Sequence, residues 1–297
     1  MTQLVSVDSA YAHCLKLAQR HYENFPVASI LLPKSIRKPI AAIYAFARTA
    51  DDYADEGNLS AETRLQQLYQ LSDQLKQIQT NSYYENDPML IALQHTVQHF
   101  NLPVQLLEDL LIAFRQDVRQ NRYQNFDELL NYCHYSANPV GRLVLYLACQ
   151  PSAQQLAQSD AVCTALQLIN FYQDIVQDLT EQNRLYIPLE ELSAHQLNEH
   201  DILMPDTRHL APVLRSLYQR TANIMAKGLS LGTSIHGRLG WEIRAMTLGG
   251  VSTLAKLQNQ PDHQLLNRPR LSRATLFGVL IDAVSSKRYL SRIKSRL

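Results

Sequence analysis

Ile43-Tyr44-Ala45-Phe46-Ala47-Arg48-Thr49-Ala50-Asp51-Asp52-Tyr53-Ala54-Asp55-Glu56 is the stretch from which the fold is read. Apolar residues recur three and four apart, so it predicts a helix. Asp51 and Asp55 stand four apart and share one face, with Arg48 one turn earlier and Tyr44 a turn before that. A second stretch, Gln167-Leu168-Ile169-Asn170-Phe171-Tyr172-Gln173-Asp174-Ile175-Val176-Gln177-Asp178, repeats the pattern: Gln167, Asn170, Asp174 and Asp178 follow one face. A single such carboxylate pair on a helix is ordinarily a solvated face. Two pairs, each set among apolar residues and with polar side chains in phase, ask for a counter-ion. Oxygen donors alone suit hard Mg²⁺, which keeps several waters and bridges to phosphate. The implied ligand is a diphosphate held between the two helices.

Working outward, the rest of the chain is also helical in character. Glycines number 9 in 297 residues, and long stretches are rich in Leu, Ala and Gln. Helices are predicted over 35–56, 60–79, 88–100, 103–120, 126–149, 153–182, 212–231, 236–258 and 272–294, leaving little room for a second domain, so 1–297 reads as one all-α bundle. Pro139 falls inside the predicted 126–149 helix and removes a backbone donor. It either kinks the helix structurally or turns a free carbonyl towards a cavity. The segment 188–211 is predicted to be an ordered loop over a site.

Composition excludes several classes. The formal charge of +1, from 28 basic and 27 acidic residues, gives no global field for nucleic acid. Cys14, Cys133, Cys149 and Cys163 form no CxxC pair, which argues against a disulfide framework and a zinc site. No run has the length to span a bilayer, and the first 25 residues carry charges where a signal peptide needs an apolar stretch, so a cytoplasmic protein is expected. The apolar segment 276–284, followed by Lys287, Arg288, Arg292, Lys294 and Arg296, reads either as an exposed basic tail or as a peripheral contact with the inner membrane.

Both acidic stretches, together with Leu31-Leu32-Pro33, Tyr132-Cys133-His134-Tyr135 and Arg184-Leu185-Tyr186-Ile187-Pro188, resemble the motifs of the squalene and phytoene synthase family, in order over nearly the whole chain. The resemblance implies a single helical bundle around an apolar cavity and a Mg²⁺-dependent prenyl diphosphate enzyme. Carried over residue by residue, Asp51, Asp55, Asn170, Asp174 and Asp178 would be metal-site residues. Arg48 would contact diphosphate; Tyr44, Tyr132 and Gln167 would line the cavity near the reacting carbons. Arg184 and Asn24 are read as further substrate contacts.

The departures from the family pattern are specific. Tyr22-Glu23-Asn24-Phe25 stands where a Ser-Lys-Ser-Phe-like stretch is usual, and Gln173 stands where arginine usually precedes the first aspartate of the second motif. Ser136-Ala137-Asn138-Pro139 replaces a Val-Ala-Gly segment, and the tyrosine usual in the late helix is missing from 246–254. Losing two cations favours handling one diphosphate over two. The combination resembles the branch of the family that converts presqualene diphosphate and water to hydroxysqualene. Its pathway neighbours would be a presqualene diphosphate synthase upstream and a hydroxysqualene reductase downstream. No dinucleotide-binding motif is present, consistent with a step that consumes no reductant. Rival readings are presqualene diphosphate, dehydrosqualene, squalene or phytoene synthesis, a non-catalytic scaffold of the same fold, and a lipid-storage protein. The last gives no reason for two carboxylate stripes.

Overall fold

The computed structural model describes residues 5–20, 33–83, 86–294 and 296, and among them there are helices, turns and one isolated bridge between Arg122 and Leu185, with no strand. The chain divides into two compact units: Met1–Arg119 with Pro139–Ser152, and Gln120–Asn138 with Ala153–Leu297. In chain order the first helices are α1 (Val7–Arg20), α2 (Lys34–Asp55), α3 (Ala61–Gln79), α4 (Pro88–Phe100) and α5 (Gln105–Arg119). Next come α6 (Phe126–Ser136), α7 (Asn138–Ala148), α8 (Ala153–Gln173), α9 (Ile175–Glu181), α10 (Leu189–Ser193) and α11 (Glu199–Ile202). The last are α12 (Ala211–Gly228), α13 (Leu231–Ser234), α14 (Gly237–Gln258), α15 (Arg273–Val284) and α16 (Ser286–Lys294).

In the first unit α2 is the central element, packed against α1, α3, α4 and α5. Its buried face alternates large and small residues, Ile36, Ile40, Phe46 with Ala41, Ala42, Ala45 and Ala50, which lets several helices approach it at once. Each fully buried Ile or Phe here contributes roughly 1.5–3 kcal/mol. Capping fixes where the neighbours begin. Ser60 accepts from Thr63 N at 3.2 Å, and Asp87 accepts from Met89 N and Leu90 N at 2.8 and 3.1 Å. Arg115 ties α5 to α3 by donating to Ser72 Oγ at 2.8 Å while pairing with Glu108 at 2.7 Å.

In the second unit α8 is the core helix, with α6, α12 and α14 against it. Gly228 and Gly250 make the contacts close: a Cβ at Gly228 would lie 2.6 Å from Gln158 O, and one at Gly250 would lie 2.3 Å from Leu166 Cδ2. At the C-terminal end, Arg244 donates to Ala283 O at 2.5 Å and Gly232 O at 2.7 Å, and Tyr289 donates to Leu229 O at 3.0 Å. These bonds fasten α15 and α13 to α14, and α16 to the turn between α12 and α13.

The predicted helices are present with three corrections. The 126–149 helix is two, broken at Ala137, because Pro139 sits in the first turn of α7, where a missing N–H costs nothing. The 153–182 helix is broken at Asp174, and the 272–294 helix at Ser285, whose backbone is extended (φ −115°, ψ 127°). The segment 188–211 is not all loop but holds α10, α11 and a 3₁₀ turn at Arg208–Leu210. Helix α1 lies outside the predicted set.

Candidate active site

One face of α2 carries the first acidic motif from an apolar interior to a charged rim. Ile40, Ile43, Tyr44, Ala47, Arg48 and Asp51 line a cavity of about 200 Å³ that is open to one side, its other walls supplied within the same unit by Leu110 and Phe114 of α5 and by Val140, Leu143 and Val144 of α7. The 3.6-residue repeat makes this gradient: successive turns place Ile40, Tyr44, Arg48 and Asp51 along one line. Arg48 donates to Asp51 Oδ2 at 3.0 Å and pairs with Asp52 at 2.6 Å and Glu56 at 2.5 Å. Its guanidinium thus gathers the carboxylates at the rim. Burial pushes the Tyr44 hydroxyl above its ordinary pKa; Arg48 opposes that, and Asp51 and Asp52 add to it. Asp55, one turn beyond Asp51, is exposed.

The second motif lies where α8 ends. Asp174 adopts φ −110°, ψ 14°, close to the sparsely populated bridge region in which many active-site residues sit, and so divides α8 from α9. Its carboxylate is held by Arg268 in a two-point contact, Nε to Oδ1 at 2.7 Å and Nη2 to Oδ2 at 3.1 Å. The adjacent Gln173 donates to Pro269 O at 3.0 Å, pinning the strip of chain that delivers Arg268. Asp178 lies one turn on. Burial, then the charge of Asp174, raises its carboxyl pKa to about 6, with Arg184 and Arg268 opposing. Arg184 is placed beside it by its own backbone N–H, which donates to Asp178 O at 2.9 Å.

Gln167 is half-buried and Asn170 exposed on the α8 face that leads to Asp174. Tyr132 is 5% exposed and belongs to an aromatic cluster of the second unit. Its ring lies 5.4 Å from Tyr123, 5.9 Å from Tyr186 and 6.1 Å from Phe171, and Phe171 and Tyr186 stack at 3.7 Å. Asn24 lies outside the described residues.

Each acidic stripe has an arginine beside it: Arg48 on α2, where the sequence places it, and Arg268 at Asp174, which the sequence reading did not include. The cation missing at position 173 is therefore present in space. Arg268 went unnoticed because it is 94 residues from Asp174. The only sequence signal was Arg268-Pro269-Arg270, a short basic run with no helical phase to the motif.

The donor set fits a hard divalent cation. It is all oxygen, and the raised pKa of Asp178, due first to burial and then to the charge of Asp174, marks a carboxylate that a bound cation would favour in its ionised form. Among the described residues no three carboxylate, histidine or cysteine side chains converge on one point, so a metal would need water and substrate oxygens to complete its shell.

The family model for squalene/phytoene synthase matches residues 18–275. The hydroxysqualene synthase of Rhodopseudomonas palustris is 37% identical over 223 residues, 74% of each chain. That of Zymomonas mobilis is 36% identical over 225 residues, again 74% of each. Among solved structures, the squalene synthase HpnC of Alicyclobacillus acidocaldarius shares the fold with a TM-score of 0.76 at 31% identity, covering 89% of this chain and 97% of its own.

Proposed function

The chain belongs to the squalene/phytoene synthase family, and from that premise we propose that it converts presqualene diphosphate and water to hydroxysqualene and diphosphate. Enzymes of this family act on prenyl diphosphates and generally depend on a divalent metal. The observation that carries the chemical half of the reading is the α2 face, where an apolar cavity lining runs without interruption into Tyr44, Arg48 and Asp51. The choice of reaction within the family rests on the two relatives named hydroxysqualene synthase.

In this reading the carbon–oxygen bond to diphosphate breaks, its electron pair leaving with the diphosphate. The cyclopropylcarbinyl cation rearranges, a water oxygen bonds to the resulting cation, and that water loses a proton to solvent. Asp51 and Asp55 of the first motif and Asn170, Asp174 and Asp178 of the second would hold Mg²⁺, and Arg48, Arg184 and Asn24 would contact the substrate. When bound, Mg²⁺ neutralises the leaving charge, worth several kcal/mol of transition-state stabilisation. Tyr44, Tyr132 and Gln167 line the path of the cation, tyrosine faces offering negative potential to it. The apolar wall formed by Ile40, Ile43, Leu110 and Phe114 delays water until the skeleton has rearranged. Residues 1–297 act together as one catalytic domain. The reaction needs a presqualene diphosphate synthase to supply it and a hydroxysqualene reductase to consume its product.

Purified protein with Mg²⁺ is to be given presqualene diphosphate and, separately, farnesyl diphosphate, and the extracts analysed by mass. Hydroxysqualene from the first and no C30 product from the second is expected. Efficient conversion of farnesyl diphosphate alone would replace this reading with head-to-head synthesis.

A further inference from the structure

Helix α15 is docked by a narrow seam. Val279 and Ala283 are its buried residues, packed in a cluster with Leu248, Tyr289 and Ile293. The arc beside this seam is apolar too: Leu276, Phe277, Leu280, Ile281 and Val284 are 39–67% exposed. At 100° per residue these five fall within one arc of about 140°, a continuous outward face rather than scattered surface residues. Polar residues would be expected there on a helix that faces only water.

The charge around this face is as uneven as its polarity. Residues 268–297 hold 8 basic residues and one acidic, Asp282, for +7; the remaining 20 basic and 26 acidic residues sum to −6, and together they give the chain's +1. Arg273 falls on the apolar arc at the start of α15 and is exposed. Lys287, Arg288 and Arg292 line a cleft with Asp282 and Ser291 where α15 meets α16. Arg292 lies 3.5 Å from Asp282, while Arg273, Lys287 and Arg288 make no ion pair among the described residues.

From this we propose that the α15 face is a docking surface for an anionic lipid bilayer, with Phe277, Leu280 and Val284 entering the headgroup–acyl boundary and Arg273, Lys287 and Arg288 meeting lipid phosphates. Apolar insertion and a basic patch are two signals that together strengthen membrane attachment beyond what either gives alone. A second copy of the chain fits less well, because an isologous contact would set this +7 segment against itself. The proposal rests on the surface alone and holds whichever prenyl diphosphate the enzyme takes.

The chain's single tryptophan reports on this face. Trp241 is half-buried and donates from Nε1 to Leu280 O at 3.2 Å, so bilayer docking should shift its emission to the blue. The full chain is to be titrated with phosphatidylglycerol-containing vesicles and with pure phosphatidylcholine vesicles, following Trp241 emission and co-sedimentation. Expected is saturable binding to the anionic vesicles, at least tenfold weaker on neutral ones. Phe277→Glu should weaken it at least tenfold, while Leu203→Glu, at an exposed apolar site elsewhere, binds as wild type. Unchanged circular dichroism and Tm would show that Phe277→Glu is folded. Equal binding by Phe277→Glu, no binding by wild type, or a solution dimer that Phe277→Glu dissolves would each overturn the proposal.

Discussion

Burial, reinforced by the neighbouring charge of Asp174, makes ionisation of Asp178 costly despite Arg184 and Arg268. In the metal-free fold its carboxyl titrates near 6 rather than at 3.8, so the folded chain binds a proton at pH values where the unfolded chain is already ionised. Stability without metal should therefore rise as pH falls from 6 towards 3.8, with the full cost present above 6. Asp178→Asn removes that cost. In chelator its Tm should exceed wild type at pH 8, by the equivalent of about 1–3 kcal/mol, and converge with wild type at the acid end, while turnover falls by orders of magnitude. A Tm difference independent of pH would contradict this. Gln173 acts at one remove, through Pro269 and Arg268. Gln173→Leu keeps the volume and loses the donor, and should cut activity roughly ten- to hundredfold in steady-state kinetics with little change in Tm. Full activity would show that the tether positions nothing. The carboxylates themselves could be read from sequence because i,i+4 spacing is local. Arg268 could not, since nothing in the chain's local periodicity reports a contact so distant in sequence.

Helix α12 approaches α8 closely at its C-terminal end because position 228 carries no side chain. Gly228→Val would place carbon within 2.6 Å of a backbone carbonyl and of Val162 Cγ2, where neither neighbour can rotate away cheaply. The fold should lose about 1–3 kcal/mol, read as a lower Tm; a Tm within a degree of wild type would mean the helices separate without penalty. Helix identity was legible wherever apolar residues kept their period, as in 88–100, where sequence and structure agree at both ends. Helix breaks were legible only in part. Pro139 was noticed but read as a kink, whereas the proline's missing N–H makes it a natural first-turn residue. The break at Asp174 has no glycine or proline to announce it. It is held instead by tertiary partners, Arg268 on the carboxylate and Pro269 on the neighbouring amide.

Across the whole molecule, two compact units each carry one acidic motif, with a cavity-lining face in the first and an aromatic cluster in the second. The family and its chemistry were legible because the motifs recur in order; the second unit's basic, apolar C-terminal face was legible only as two alternatives, since a helix that faces lipid and one that covers a core share a pattern. The central claim is that water, not a hydride or a second prenyl chain, ends the reaction. It is tested most directly by running the conversion of presqualene diphosphate with Mg²⁺ in water labelled with heavy oxygen and weighing the C30 alcohol. Capture by solvent puts the heavy label in the hydroxyl of the product in step with the enrichment of the water. An unlabelled alcohol, or a C30 hydrocarbon with no oxygen at all, would contradict it.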